Sequence, residues 1–207
     1  MKEMKLSFDP YNLIIAGVGG QGNVLASRVV GNMLSRKGFT VTIGETFGGS
    51  QRGGSVMSHL RVSSRSSFSP QIPKGRAHLV LGLEPTETIR VLAAYGNPDV
   101  LALCNLRPIH PVQVISGELD YPDLEDAKGW VKELSRKAWF LNATDTALEM
   151  GLPILGNIIM IGAMAALGEL PLEREDFERA VSLTMPTDRI SINLEAFDRG
   201  REMVEAA

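Results

Sequence analysis

The segment from Asn12 to Gly38 constrains the fold more than any other part of the chain. Asn12 to Val18 (NLIIAGV) is a short apolar run that reads as a buried strand. From Gln21 to Lys37, Val24, Leu25, Val29, Met33 and Leu34 recur at helical spacing, and Gly38 stops the pattern. Between them lies Gly17-Val18-Gly19-Gly20-Gln21-Gly22, a G-x-G-x-x-G turn. Such a turn lets an anion approach the free N–H groups that open a helix. Glu45, 23 residues beyond Gly22, stands where a ribose-binding acid would be expected. Two readings are open here: a dinucleotide fingerprint, or glycine used only for close packing of strand on helix.

The remaining pattern extends this unit into an alternating α/β order. Thr40 to Glu45 reads as a second strand, and Ser55 to Ser63 as a third. The third alternates strictly, with Val56, Ser58, Leu60 and Val62 on one face and Ser55, Met57, His59 and Arg61 on the other. His78 to Leu83 and Asp99 to Leu106 are further buried strands around a helix at Pro85 to Tyr95. Val112 to Ser116 reads as a short strand, Asp123 to Lys137 as an amphipathic helix, and Trp139 to Asn142 as a strand closing the sheet. Asp145 to Met150, Asn157 to Leu167, Glu173 to Leu183 and Leu194 to Val204 are helical. The expected fold is a doubly wound, Rossmann-like α/β sheet, mostly parallel, with helices on both faces and a helical C-terminal segment. No internal repeat or long linker divides the 207 residues, so one domain over 1–207 is expected, with Ser63 to Lys74 as its most mobile loop.

Composition closes off several function classes. A net charge of -3 without blocks of like charge gives nucleic-acid binding little support. The single cysteine, Cys104, sits in an apolar run and reads as a small buried hydrophobe. One cysteine cannot form an internal disulfide or a cysteine-ligated zinc or iron–sulfur site. Met1 to Pro10 lacks the apolar core of a signal peptide, and a reduced, cytoplasmic setting is the expectation. Gly151 to Pro171 is mostly apolar, but its unbroken part, Ile158 to Leu167, is half the length a membrane span needs, about 20 residues. It reads as a buried or interface helix.

The second glycine loop, Gly48-Gly49-Ser50-Gln51-Arg52-Gly53-Gly54, is harder to explain as packing. Its glycines permit positive φ, so N–H groups can converge on an anion. Arg52 offers a planar fork of donors for phosphate or carboxylate, and Ser50 and Gln51 add neutral hydrogen-bonding groups. His59 and Arg61 are candidate supports from the following strand, each with an ordinary structural role as the alternative. His78 and His110 have no metal-ligand partner at short spacing, and no nucleophile–base–acid set stands out.

The two loops together, Gly17 to Gly22 and Glu45 to Arg61, closely resemble those of gamma-type subunits of 2-oxoacid:ferredoxin oxidoreductases. Asn157 to Leu167 with Leu170-Pro171-Leu172, and Asn193 to Gly200, are similar to that family's C-terminal helices, so most of residues 12 to 200 is covered. Within the family the chain looks most like the beta subunit of the members acting on indolepyruvate. The resemblance implies a pyruvate/ketoisovalerate gamma-type domain that works as the smaller subunit of a CoA-dependent enzyme. Thiamine diphosphate, magnesium and iron–sulfur clusters are then expected on a larger partner subunit, with ferredoxin as electron acceptor and no cofactor bound by this chain alone. Gly19, Gly20, Gln21, Gly22, Ser50, Gln51, Arg52, Gly53 and Gly54 match the family's loops and are the implied contacts for coenzyme A or the partner. Glu45, His59 and Arg61 are possible supports. The resemblance weakens the dinucleotide reading, which stays as the alternative beside a non-catalytic scaffold. Neither nucleic acid nor membrane is an implied partner.

Overall fold

The computed structural model describes residues 6–48 and 54–205. A six-stranded sheet is built from β1 (Tyr11–Val18), β2 (Thr40–Phe47), β3 (Ser55–Ser63), β4 (Leu79–Gly82), β5 (Leu101–Asn105) and β6 (Lys137–Leu141). Their spatial order is β2-β3-β1-β4-β5-β6. All pairs are parallel except those that β3 makes with its two neighbours. β3 is therefore the one reversed strand among the described residues, and β2 runs the same way as β1.

All eight residues of β1 are buried, which is why its sequence is nearly continuously apolar rather than alternating. Its side chains serve two layers. Tyr11, Leu13 and Ile15 join a core with α1 (Asn23–Arg36), α6 (Gly156–Ala166), α7 (Arg174–Thr184) and α8 (Thr187–Glu205). Ile14 and Ala16 face the other side, with Val91 and Leu92 of α2 (Pro85–Tyr95) and Val131 of α4 (Leu124–Glu133). Two short helices, α3 (Val112–Ile115) and α5 (Ala143–Glu149), complete the set, with a 3-10 turn at Pro153–Leu155 before α6.

The expected doubly wound fold is present, with local corrections. Val112 to Ser116 is helical instead of extended. Pro111 leads it, Ile115 N–H returns to the Pro111 carbonyl and Ser116 N–H to that of Val112. No sheet edge is free beside β5 to recruit a strand there, because β6 already pairs with it. The closing strand starts at Lys137, two residues earlier than Trp139, and α8 begins at Thr187 instead of Leu194. Ser63 to Lys74 lies across the sheet: Ile72 is buried in the core and Arg61 donates to the Ser69 carbonyl.

The apolar run at Ile158 to Leu167 is covered within the chain, chiefly by α8. A methyl group on Gly162 would sit 1.9 Å from the Phe197 carbonyl oxygen, and one on Gly200 would sit 1.9 Å from that of Ile159. The two helices touch backbone to backbone, which answers the choice between a buried and an interface helix. No helix among the described residues is long and apolar enough to cross a membrane.

Candidate functional site

The sheet order sets where a ligand can bind. From β1 the chain first runs outward through α1 to β2 and back through β3, then from β4 to β6 on the opposite side. The reversal lies between β1 and β4, and in open α/β sheets the crevice at the carboxyl ends beside such a reversal is the favoured ligand position. A cleft of about 310 Å³ lies there, lined by Gly19, Gly20 and Gln21 beyond β1, Leu83 beyond β4, Arg107 and Ile109 beyond β5, and Thr144, Ile154 and Asn157 from the helical segment.

Side-chain amides lock this rim together. Val18 N–H donates to Gln21 Oε1 at 2.9 Å, while Gln21 Nε2 donates to the Leu83 carbonyl at 2.7 Å, so Gln21 joins the ends of β1 and β4. Asn105 Nδ2 donates to the same Leu83 carbonyl at 3.0 Å and to Thr144 Oγ1 at 2.9 Å. Asn157 Nδ2 reaches back to the Gln21 and Gly22 carbonyls at 3.2 and 3.4 Å. The buried Leu83 carbonyl is thereby satisfied, and the amides tie the rim together without a ligand. Asn157 Oδ1 and Asn23 Oδ1, both buried, have no hydrogen-bond partner among the described residues.

The glycines have separable tasks. Gly22 caps α1 with φ +79°, and a methyl group there would sit 2.1 Å from Asn157 Nδ2. Gly17 is crowded by Gln21, Asn23 and Leu83. Gly20, with φ +105°, has nothing among the described residues within 4 Å of its missing Cβ and borders the cleft. The first turn of α1 holds no acidic residue, so the positive end of the helix dipole is left for an anionic group.

The flanks of the second loop are brought to this rim. β1 and β3 pair with Val18 opposite Ser55, and Gly19 N–H donates to the Gly54 carbonyl at 2.8 Å. Gly48 N–H closes the β2–β3 hairpin on the Ser55 carbonyl at 2.7 Å. Ser55 Oγ in turn donates to Glu87 Oε2 at 2.6 Å, and Arg90 braces that carboxylate from the same helix, α2. Ser50, Gln51, Arg52 and Gly53 lie outside the described residues.

The three possible supports are placed elsewhere. Glu45 pairs with Ser58, which pairs with Ile15, so β3 separates it from β1. Two strand spacings put Glu45 about 10 Å aside from the first strand, too far out for the ribose acid of a dinucleotide site. His59 is 1% exposed, accepts the Ile72 N–H at Nδ1 over 3.4 Å and meets Tyr95 edge-on at 5.2 Å. Burial holds its imidazole below the usual histidine range, in the neutral form that this bond requires. Arg61 donates to Asn12 Oδ1 and the Ser69 carbonyl and stacks on Phe68. Both are structural, at mid-strand.

Asn105, Arg107, Thr144 and Asn157 were not identified from sequence. Arg107 is the one cation lining the cleft among the described residues, and its exposed pair with Asp145 at 3.1 Å leaves it available. Asn105 carried a usable signal, a polar residue ending the apolar run Leu101 to Cys104. Cys104 is 1% exposed, and burial pushes its thiol up to about 12, so it does not fit as an iron–sulfur ligand.

Comparisons with known proteins identify the family and the fold. The family model described as pyruvate ferredoxin/flavodoxin oxidoreductase matches residues 12–203. Indolepyruvate oxidoreductase subunit IorB of Pyrococcus horikoshii is 36% identical, over 92% of this chain and 94% of that relative. The gamma subunit of a keto/oxoacid ferredoxin oxidoreductase from Geobacter sulfurreducens has the same fold, with a TM-score of 0.68 at 23% identity over 95% of this chain and 99% of that one. A 2-oxoglutarate:ferredoxin oxidoreductase chain from Magnetococcus marinus, solved with 2-oxoglutarate, coenzyme A and succinyl-CoA bound, matches at TM-score 0.75 and 18% identity. The match covers 97% of this chain but only 32% of that one.

Proposed function

The chain belongs to the pyruvate ferredoxin/flavodoxin oxidoreductase family, and on that premise we propose that its cleft and glycine loops form the coenzyme A side of a two-subunit indolepyruvate-oxidising enzyme. It is the smaller subunit of a 2-oxoacid:ferredoxin oxidoreductase. Indolepyruvate is the favoured substrate because the 36% identical relative carries that name over nearly its whole length. The enzyme works in the cytoplasm, and this subunit is inactive without its larger partner.

The observation that carries the reading is the Gly19–Gly54 hydrogen bond, which sets the bases of both glycine loops side by side at the crevice. Coenzyme A carries phosphates at one end. The backbone N–H of Gly20, the α1 N-terminus and the Arg107 guanidinium would hold them, with Arg52 and its neighbours Ser50, Gln51 and Gly53 completing the clamp. Thiamine diphosphate on the partner would supply decarboxylation chemistry, and clusters there would take up the electrons. This chain's part is binding and orientation, and its rim is rigid enough for both, because Gln21, Asn105 and Asn157 are braced independently of any ligand.

Reconstitution tests the reading. Mixed with a larger thiamine-binding subunit from the same source, the chain should restore indolepyruvate-dependent, CoA-dependent ferredoxin reduction, and alone it should give none. In the complex, Arg52→Ala should raise the KM for coenzyme A about tenfold, the loss of one charge-assisted contact. Full CoA turnover by the larger subunit without this chain would remove the proposal.

A further inference from the structure

Glu84 lies beside the cleft and has no assigned task. It follows β4, is fully buried and is the N-cap of α2. One carboxylate oxygen, Oε2, accepts Glu87 N–H at 2.9 Å and Thr86 Oγ1 at 2.7 Å. Those bonds and the helix dipole account for half of the group. The other oxygen, Oε1, is used across the chain: it accepts the Tyr121 hydroxyl in a short hydrogen bond and Ile109 N–H at 3.5 Å.

Both groups belong to the segment Leu106 to Tyr121, which contributes Arg107, Pro108 and Ile109 to the cleft wall. This segment has little else to hold it. Its helix, α3, buries no residue, and Val112 and Ile115 are 75% and 74% exposed. Arg107 reaches Asp145 only through an exposed ion pair, a weak restraint. Leu106 N–H is tied to the Leu141 carbonyl, but that bond lies at the strand end, before the wall begins. A wall without a core anchor can keep one position only if a buried polar tie holds it.

We infer that Glu84, acting through Tyr121, is a positioning residue: it latches the Arg107–Ile109 wall against the end of β4 and so sets the affinity of the cleft for its anion-bearing ligand. The latch does not touch the ligand. It fixes where Arg107 stands relative to the Gly19–Gly20 turn. Tyr121 suits this work, since its phenol is held well above the usual tyrosine range by burial and then by the Glu84 carboxylate, and it stays a donor throughout the working pH range. His110, packed on the Tyr121 ring at 5.0 Å, keeps the ring in place.

The inference rests on the coenzyme A reading only for the identity of the ligand. Tyr121→Phe is the variant of choice, because it deletes one oxygen and leaves the Glu84 cap intact. In the isolated chain, amide hydrogen exchange over residues 106–121 should speed up severalfold while the β1, β4 and α6 peptides stay unchanged. In the reconstituted enzyme, the KM for coenzyme A should rise about fivefold, equivalent to about 1 kcal/mol, with kcat within twofold. Unchanged exchange over 106–121 overturns the latch. Faster exchange with an unchanged KM, while Arg52→Ala raises that KM, overturns the positioning role and leaves the coenzyme reading standing. If neither variant alters the KM, the coenzyme reading fails and takes the positioning role with it.

Discussion

At the scale of single residues, the glycine turn after β1 shows how one residue type carries different loads within four positions. Gly20 and Gly22 both adopt positive φ, at +105° and +79°. A side chain at either would meet the left-handed strain of about 1–2 kcal/mol. Among the described residues only Gly22 also faces a neighbour, Asn157 Nδ2, 2.1 Å from where its Cβ would be. That amide is held by two backbone carbonyls, and moving it aside would break both hydrogen bonds. Gly22→Ala should therefore cost about 2 kcal/mol more than Gly20→Ala, the excess being overpacking. Urea denaturation of the two variants side by side measures it. Equal midpoints would mean that Asn157 yields freely and that the brace between α1 and α6 is not rigid.

At the scale of elements, the α6–α8 contact is the clearest case of packing overriding propensity. In a helix interior, Gly→Ala ordinarily gains about 0.5–1 kcal/mol. Gly129 in α4 has open space around its missing Cβ, so Gly129→Ala should gain about that much. Gly162→Ala should instead lose about 2 kcal/mol or more, because its methyl group would overlap the Phe197 carbonyl and force α6 off α8. Thermal melting of the pair should show shifts of opposite sign, and a stabilised Gly162→Ala would refute the close contact. The same contact explains what was legible in the sequence. An all-round apolar run announces a covered helix, yet Ile158 to Leu167 does not say what covers it, because Gly200 lies more than thirty residues away. Strands β1, β4 and β5 were readable for the same reason that they are buried on both faces. The reversal of β3, and hence the displacement of Glu45, was not, since alternation along Ser55 to Ser63 is identical in a parallel and an antiparallel strand. Val112 to Ile115 looked β-rich, but the strand just before it, β5, already has β4 and β6 on its two sides. At the site, both glycine turns were visible as local motifs. Asn105 showed only as a polar end to an apolar run, and Thr144 and Asn157 gave no local signal because each reaches the rim from a distant part of the chain.

At the scale of the whole molecule, one buried and one half-buried imidazole make stability depend on pH in a defined direction. His59 Nδ1 accepts Ile72 N–H and His78 Nδ1 accepts Asn12 N–H at 2.9 Å, so the fold requires both rings with that nitrogen unprotonated. Burial lowers both from the ordinary 6.5, and Arg76 adds to the effect at His78, whose ring stacks on Phe8 at 4.2 Å. The unfolded chain then binds protons first as pH falls, and the native state does not follow until lower pH. Their contribution is complete above 6.5 and is lost progressively below it. Asp9 acts in a separate window. Burial would raise its carboxyl, but bonds from Ser63 and Ser64 and the charge of Arg65 outweigh it and bring it below 3.8. Its share is therefore present above 3.8 and disappears only in stronger acid. Urea midpoints of the isolated chain should accordingly decline as pH drops from 7 to 5, with net proton uptake on unfolding at pH 6. Replacing His59 and His78 together by glutamine should flatten that decline, although the double variant starts from a lower midpoint at pH 7 because two hydrogen bonds are disturbed. A decline as steep in the double variant as in the parent would show that other groups set the acid limb. A midpoint that rises from pH 7 to 6 would contradict the neutral imidazoles on which both hydrogen bonds depend.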